Sequence, residues 1–218
     1  SLMNTDTVTL RPDVNIDVVL RYLRQRGNLP DTTDTLYVVD KHDRVLGGVK
    51  LADLLTCDPN THISSIIDTD IESIPVGKGP AQVGFTGDGR LAFVSLSQEN
   101  QVAVIDPRTR KVLRKVPVGN GPIQLFATPD SQRLLVANQG NRKNPGRTVS
   151  VIDLTSFKVT ASIRTGRGAH GVVVDADGRQ AYVSNLYDNT VTVIDLVAHK
   201  PVATVPVGAG PNGISVTP

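Results

Sequence analysis

Gly77-Lys78-Gly79-Pro80, Gly119-Asn120-Gly121-Pro122, Gly166-Arg167-Gly168-Ala169 and Gly208-Ala209-Gly210-Pro211 stand 42, 47 and 42 residues apart. Between them recur Phe93-Val94-Ser95, Leu135-Val136-Ala137-Asn138 and Tyr182-Val183-Ser184-Asn185. Each is followed by an apolar run ending in Ile105-Asp106, Ile152-Asp153 or Ile194-Asp195. Asp88-Gly89, Pro129-Asp130 and Asp177-Gly178 supply residues that tolerate left-handed backbone and close hairpins. A fourth run, such as Val112-Leu113-Arg114-Lys115-Val116 or Pro201-Val202-Ala203-Thr204-Val205, leads into the next glycine pair. Four short β runs per period of about 42 residues predict one propeller-type blade per unit. Three units are too few to seal a ring, which takes about four blades or more.

Nothing in residues 1–75 shares this period, so two domains are expected, 1–75 and 76–218. Charge changes sign at the same point. Residues 1–75 carry 7 Lys/Arg against 12 Asp/Glu, a balance of −5, and residues 76–218 carry 16 against 9, a balance of +7. Those basic residues are scattered over turns and strand ends, with only four Tyr and four Phe for stacking, which argues against nucleic acid. Cys57 is the single cysteine, so no intrachain disulfide forms; a small buried thiol is expected there. No apolar run reaches the ~18 residues of a membrane span. The start, Ser1-Leu2-Met3-Asn4, lacks the basic and apolar pattern of a signal segment.

In the first part Thr7-Val8-Thr9-Leu10 reads as a strand stopped by Arg11-Pro12. Ile16, Val19, Leu20 and Leu23 then mark one face of a helix that Gly27 ends. Leu36-Tyr37-Val38-Val39 and Val45-Leu46-Gly47-Gly48-Val49 read as strands around the turn Asp40-Lys41-His42-Asp43. Leu51, Leu54 and Leu55 open a second helix, terminated by Asp58-Pro59. The expected class is therefore an α+β unit, β-α-β-β-α, followed by all-β blades.

Val18-Val19-Leu20-Arg21-Tyr22-Leu23-Arg24, Leu36-Tyr37-Val38-Val39-Asp40, Gly48-Val49-Lys50-Leu51-Ala52-Asp53-Leu54-Leu55 and Asp58-Pro59-Asn60-Thr61 carry a resemblance. Over residues 2 to 75 the chain resembles the first CBS repeat of MgtE-type magnesium transporters. Thr69-Asp70-Ile71-Glu72-Ser73-Ile74-Pro75 is similar to the opening strand of a second repeat, which does not follow. The resemblance implies an adenine nucleotide as ligand, with Lys50, Asp53 and Tyr37 as its binding residues. Asp53 matches the carboxylate that holds ribose hydroxyls, whereas Lys50 stands where Ser or Thr is common. On its own terms Asp53 also suits the start of a helix. Mg2+ is the other implied ligand, for which Asp31, Asp34, Asp40, Asp43 and Asp58 are the available carboxylates; a solvated acidic face is the alternative.

Over residues 71 to 218 the order Tyr182-Val183-Ser184-Asn185, Val191-Thr192-Val193-Ile194-Asp195 and Thr204-Val205-Pro206-Val207-Gly208 resembles the YVTN family of β-propellers. The first unit departs from it, with Leu96 where the others have Asn138 and Asn185. Ser215-Val216-Thr217-Pro218 falls inside the first strand of a fourth unit. Open blade edges should drive self-association, two arcs making a six-bladed ring being one form. Asp106, Asp153 and Asp195 recur at one register, which points to a turn role rather than a unique site. His170 stands alone where the other units have Ala81, Ile123 and Asn212, and one histidine makes no metal set. The insertion Arg142-Lys143-Asn144-Pro145-Gly146-Arg147 adds three positive charges to one turn. No catalytic residue is assigned. The chain reads as a non-enzymatic binding or scaffold protein, a natural or artificial fusion of the two segments. Alternatives are a sensor of adenine nucleotide or Mg2+ through the CBS half, and a lactonase-like hydrolase in a propeller channel. The first resemblance implies a cytoplasmic location and the second an exported one.

Overall fold

The computed structural model describes residues 8–27, 29, 33–71 and 73–216. Thr7, Asp31 and Glu72, to which the sequence reading assigned roles, lie outside the described residues, as do Ser1 to Asn4, Thr217 and Pro218. The chain divides into two compact units, Ser1–Ser73 and Ile74–Pro218.

In the first unit β1 (Thr9–Leu10) runs parallel to β2 (Thr35–Val39), which pairs antiparallel with β3 (Val45–Lys50). Helix α1 (Ile16–Arg26) starts where the Asn15 side chain accepts the Val18 N–H at 3.0 Å, and Gly27 ends it at φ 79°. Helix α2 (Leu51–Thr56) and a 3-10 turn at Ile63–Ser65 complete the unit. The apolar stripe of α1 meets the inner face of the sheet: Ile16, Val19, Leu36, Val38, Val49, Leu54 and Ile63 form one buried cluster. Asp68 bridges Gly48 with two backbone hydrogen bonds of 2.9 and 2.8 Å. The segment read as the opening of a second repeat therefore begins beside β3, and Thr69 to Ile71 form no strand.

The second unit holds three four-stranded antiparallel sheets, each in sequence order. The first comprises β4 (Pro80–Phe85), β5 (Ala92–Leu96), β6 (Gln101–Asp106) and β7 (Lys111–Pro117). The second comprises β8 (Pro122–Ala127), β9 (Arg133–Gly140), β10 (Pro145–Asp153) and β11 (Lys158–Arg164). The third comprises β12 (Ala169–Val174), β13 (Gln180–Asn185), β14 (Thr190–Asp195) and β15 (Lys200–Pro206). These are propeller-like blades, and they form an open arc.

The repeat holds at atomic detail. Gly79, Gly121, Gly168 and Gly210 all take left-handed φ between 57° and 72°, conformations that glycine adopts at least cost. The recurring aspartates close the turns between third and fourth strands. Asp106 accepts the N–H groups of Arg108 and Thr109, Asp153 that of Ser156, and Asp195 those of Val197 and Ala198. Each strand pair shifts register at the same place, between Val104/Ile105, Val151/Ile152 and Val193/Ile194.

Adjacent blades join through their first strands. The Gln82 carboxamide oxygen accepts the Leu125 N–H at 2.6 Å, and that of Gln124 accepts the Val172 N–H at 2.8 Å. Ser95 Oγ donates to the Ile123 carbonyl. The conserved-looking tetrapeptide ends also find a reason. Asn138 Nδ2 donates to Thr148 and Ser150, and Asn185 Nδ2 to Thr190 and Thr192. A Cβ on Gly119 would lie 2.5 Å from Asn138 Nδ2, and one on Gly166 2.8 Å from Asn185. In the first blade Leu96 fills that place against Gly77, beside Ala103 instead of a hydroxyl. An apolar cluster replaces a polar one at the same register.

Candidate functional site: blade faces and a basic pocket

Each blade presents two faces, a leading one that clusters with the residues before it and a trailing one that, in the first two blades, meets the blade after it. Phe93, Val102, Val104 and Val116 of the first blade pack on Leu125, Leu134, Val136, Ile152 and Leu154 of the second. Their repeat equivalents Leu135, Val149, Val151 and Ile163 pack in turn on Val172, Val174, Ala181, Val183, Ile194 and Leu196 of the third. The next quartet in register is Tyr182, Val191, Val193 and Val205. No further blade covers it among the described residues. Val205 is 48% exposed, against 2% for both Val116 and Ile163.

The opposite end of the arc differs from the sequence expectation. Ala92, Val94, Leu96, Ala103 and Ile105 would form an open leading face, yet Ile74 and Val76 pack against them. Ile74-Pro75-Val76-Gly77 aligns with Val116-Pro117-Val118-Gly119, the end of a fourth strand. Ile74 and Val76, which lie in no strand, therefore pack against the first blade as Val118 packs against the next cluster. Among the described residues the leading face is covered, while Val205 of the trailing quartet stays exposed.

The residues assigned to adenine nucleotide lie in the first unit. Tyr37 stands opposite Gly48 and Lys50 opposite Thr35, so Tyr37 and Lys50 share one exposed face of the small sheet. Ile71 crowds Gly48 on that face. Asp53 occupies the first turn of α2, which Lys50 precedes without a side-chain cap. Of the carboxylates considered for Mg2+, Asp31 lies outside the described residues, and Asp40, Asp43 and Asp58 are engaged in turns or ion pairs. Asp43 pairs with Arg11 at 2.9 Å, and Asp58 accepts the Asn60 N–H at 2.8 Å. The Arg44 backbone N–H, aided by its guanidinium and the His42 N–H, lowers the Asp40 carboxyl to about 2. Among the described residues no three His, Cys, Asp or Glu side chains converge as a metal site.

His170 is held by an amide rather than a carboxylate. Gln139 Nε2 donates to the Tyr187 hydroxyl at 3.1 Å, which turns Gln139 Oε1 toward His170 Nδ1 at 2.6 Å. That oxygen is an acceptor, so Nδ1 carries the proton and Nε2 is left as the acceptor of a neutral ring. Burial lowers the His170 pKa below 6.5 because the charged ring loses solvation. Its contribution to stability is complete above the unfolded value of 6.5 and declines as pH falls toward the depressed value. Ring-proton NMR should accordingly show a His170 midpoint below 6.5; a midpoint at or above that value would contradict the burial.

This chain of side chains was not legible in the sequence, since its members lie 31 and 48 residues apart. One signal was present. Tyr187 is aromatic where the other units have Gln98 and Gly140.

Residues 140–217 match the YNCE-like beta-propeller family. The chain is 32% identical over 92 residues to the magnesium transporter MgtE of Thermus thermophilus, covering 39% of this chain and 20% of the transporter. The corresponding protein of Enterococcus faecalis is 26% identical over 86 residues, 39% of this chain and 19% of that protein. The chain thus spans about a fifth of the length of these curated relatives. Among solved structures it is similar to Kuenenia stuttgartiensis hydrazine synthase, with a TM-score of 0.57 and 28% identity over 66% of this chain and 40% of that one. Both resemblances read from the sequence hold, the transporter-like one and the propeller one.

Proposed function

We propose that the chain is a non-enzymatic binding or scaffold protein, a fusion of a CBS-type unit with propeller blades, that docks through the trailing face of its third blade. The observation that carries this reading is the register equivalence of Tyr182, Val191, Val193 and Val205 with two quartets that are buried against a neighbouring blade. The occupant is the same face of a second copy. Because Ile74 and Val76 already cap the leading face of the first blade, head-to-tail docking would have to displace them. Face-to-face docking leaves Ile74 and Val76 in place and gives a closed two-fold dimer. The propeller fold and the similarity to MgtE both fit a binding or scaffold role. Adenine-nucleotide binding at Tyr37, Lys50 and Asp53 is not needed for this reading.

Completing the burial of this quartet on both copies, eight partly covered apolar side chains, stabilises by roughly 6–12 kcal/mol, while association costs about 4–15 kcal/mol. The dimer is therefore expected to be weak and concentration-dependent. Val193→Asp places a charge in the middle of the quartet and should give a folded monomer by light scattering at concentrations where the parent chain self-associates. Equal masses for the two proteins would remove the third blade face as the docking surface.

A further inference from the structure

The 141–147 insertion keeps its structural duty with backbone alone. In the first and third blades the turn between second and third strands ends on Asn100 and Asn189, both at left-handed φ. Their side-chain oxygens accept the N–H groups of Gly121 and Gly210, at 2.8 and 2.9 Å. In the second blade the Gly146 carbonyl accepts the equivalent Gly168 N–H at 2.7 Å. The exposed side chains of Arg142 and Lys143 take no part in that link.

Arg142 instead lies over the Tyr187 ring, its guanidinium carbon 5.7 Å from the centroid. The ring is also held by Gly168 and at its tip. It lies on Gly168, where a Cβ would come within 2.5 Å of Cδ2, and its hydroxyl accepts from Gln139. A guanidinium held over an aromatic face keeps its N–H edge turned outward, ready for a fork-like contact with carboxylate or phosphate. Beside it opens a cavity of about 570 Å3 lined by Arg142, Pro145, Arg167, Leu186, Tyr187 and Asn189. The nearby carboxylate, Asp188, is already engaged. It accepts Arg167 N at 2.7 Å and Nε at 2.6 Å, which hold its carboxyl below the usual range, and Arg147 adds to that field. Two guanidiniums and a fixed aromatic shelf thus line one recess.

We propose that this recess binds a small anionic ligand, with Arg142 receiving its carboxylate or phosphate group, Tyr187 packing against its body and Arg167, already paired with Asp188, lining the wall. The site is independent of the blade face argued above and stands or falls separately. Calorimetric titration at low salt with sodium phosphate and, separately, sodium benzoate tests it. One saturable site is expected for at least one probe, and Arg142→Ala should weaken it at least about tenfold, as loss of a charge-assisted contact implies. Tighter phosphate binding assigns the ligand to phosphate esters, and tighter benzoate binding assigns it to aromatic carboxylates. Tyr187→Leu should weaken benzoate more than phosphate. Arg142 lies on an exposed turn, so the variant should fold as the parent does. Failure of both probes to bind, or equal binding by parent and Arg142→Ala, would overturn the proposal.

Discussion

Replacing Phe93 by alanine should destabilise the propeller unit by about 3–5 kcal/mol, the usual cost of deleting a buried aromatic side chain. Phe93 is fully buried and packs with Val104, Val116, Leu125 and Leu134 where the first two blades meet. The informative comparison is Tyr182→Ala at the same register of the third blade. That ring lies on the uncovered face, so its loss should cost well under half as much in a dilute sample, where no second copy covers it. Denaturant unfolding of both variants checks the pair, read on the transition of the propeller unit because two units need not unfold together. Equal losses would contradict the assignment of one face as packed and the other as open.

The second large effect is expected at Gly140→Ala. Gly140 has φ 63°, and a Cβ there would collide with the Asn144 carbonyl oxygen and the Gly146 nitrogen. Backbone strain alone costs about 1–3 kcal/mol, and the collision adds to it because backbone atoms cannot rotate away as a flexible side chain can. The damage should be local at first. Gly140 donates to the Asn120 carbonyl at 2.9 Å, so the glycine turn ahead of β8 and the insertion after β9 are disturbed together. Amide exchange should quicken at Gly140 and Asn141 and the unfolding midpoint should fall. Unchanged exchange and stability would contradict the tight approach of these turns. By contrast, a Cβ at Gly89 meets nothing within 4 Å, so alanine there carries only the cost of its left-handed φ of 69°.

Much of the blade architecture was legible because it is local. Strand alternation, the Asp-Gly turns and the glycine pairs all act within a few residues, and the recurring aspartates indeed accept turn N–H groups. Helix α1 was legible for the same reason, from its apolar spacing and the terminal Gly27. What stayed hidden depends on separation in sequence. Gln82 reaches Leu125 across 43 residues and Gln139 reaches Tyr187 across 48, and no periodicity announces such pairs. Ile74 was read with the opening strand of a second repeat, because three residues show no alternation; the equivalence of Ile74 and Val76 to Val116 and Val118 emerges once the blade they cap is in place. The candidate site divides in the same way. The charged insertion could be read directly, whereas the shelf that Tyr187 makes on Gly168 required the fold.

Sedimentation equilibrium of the intact chain over a wide concentration range tests the central claim most directly. A mass rising reversibly from one copy to two, and no further, is the expected result for a single open blade face that closes on itself. A strictly monomeric mass at every concentration, or growth beyond two copies, would contradict it.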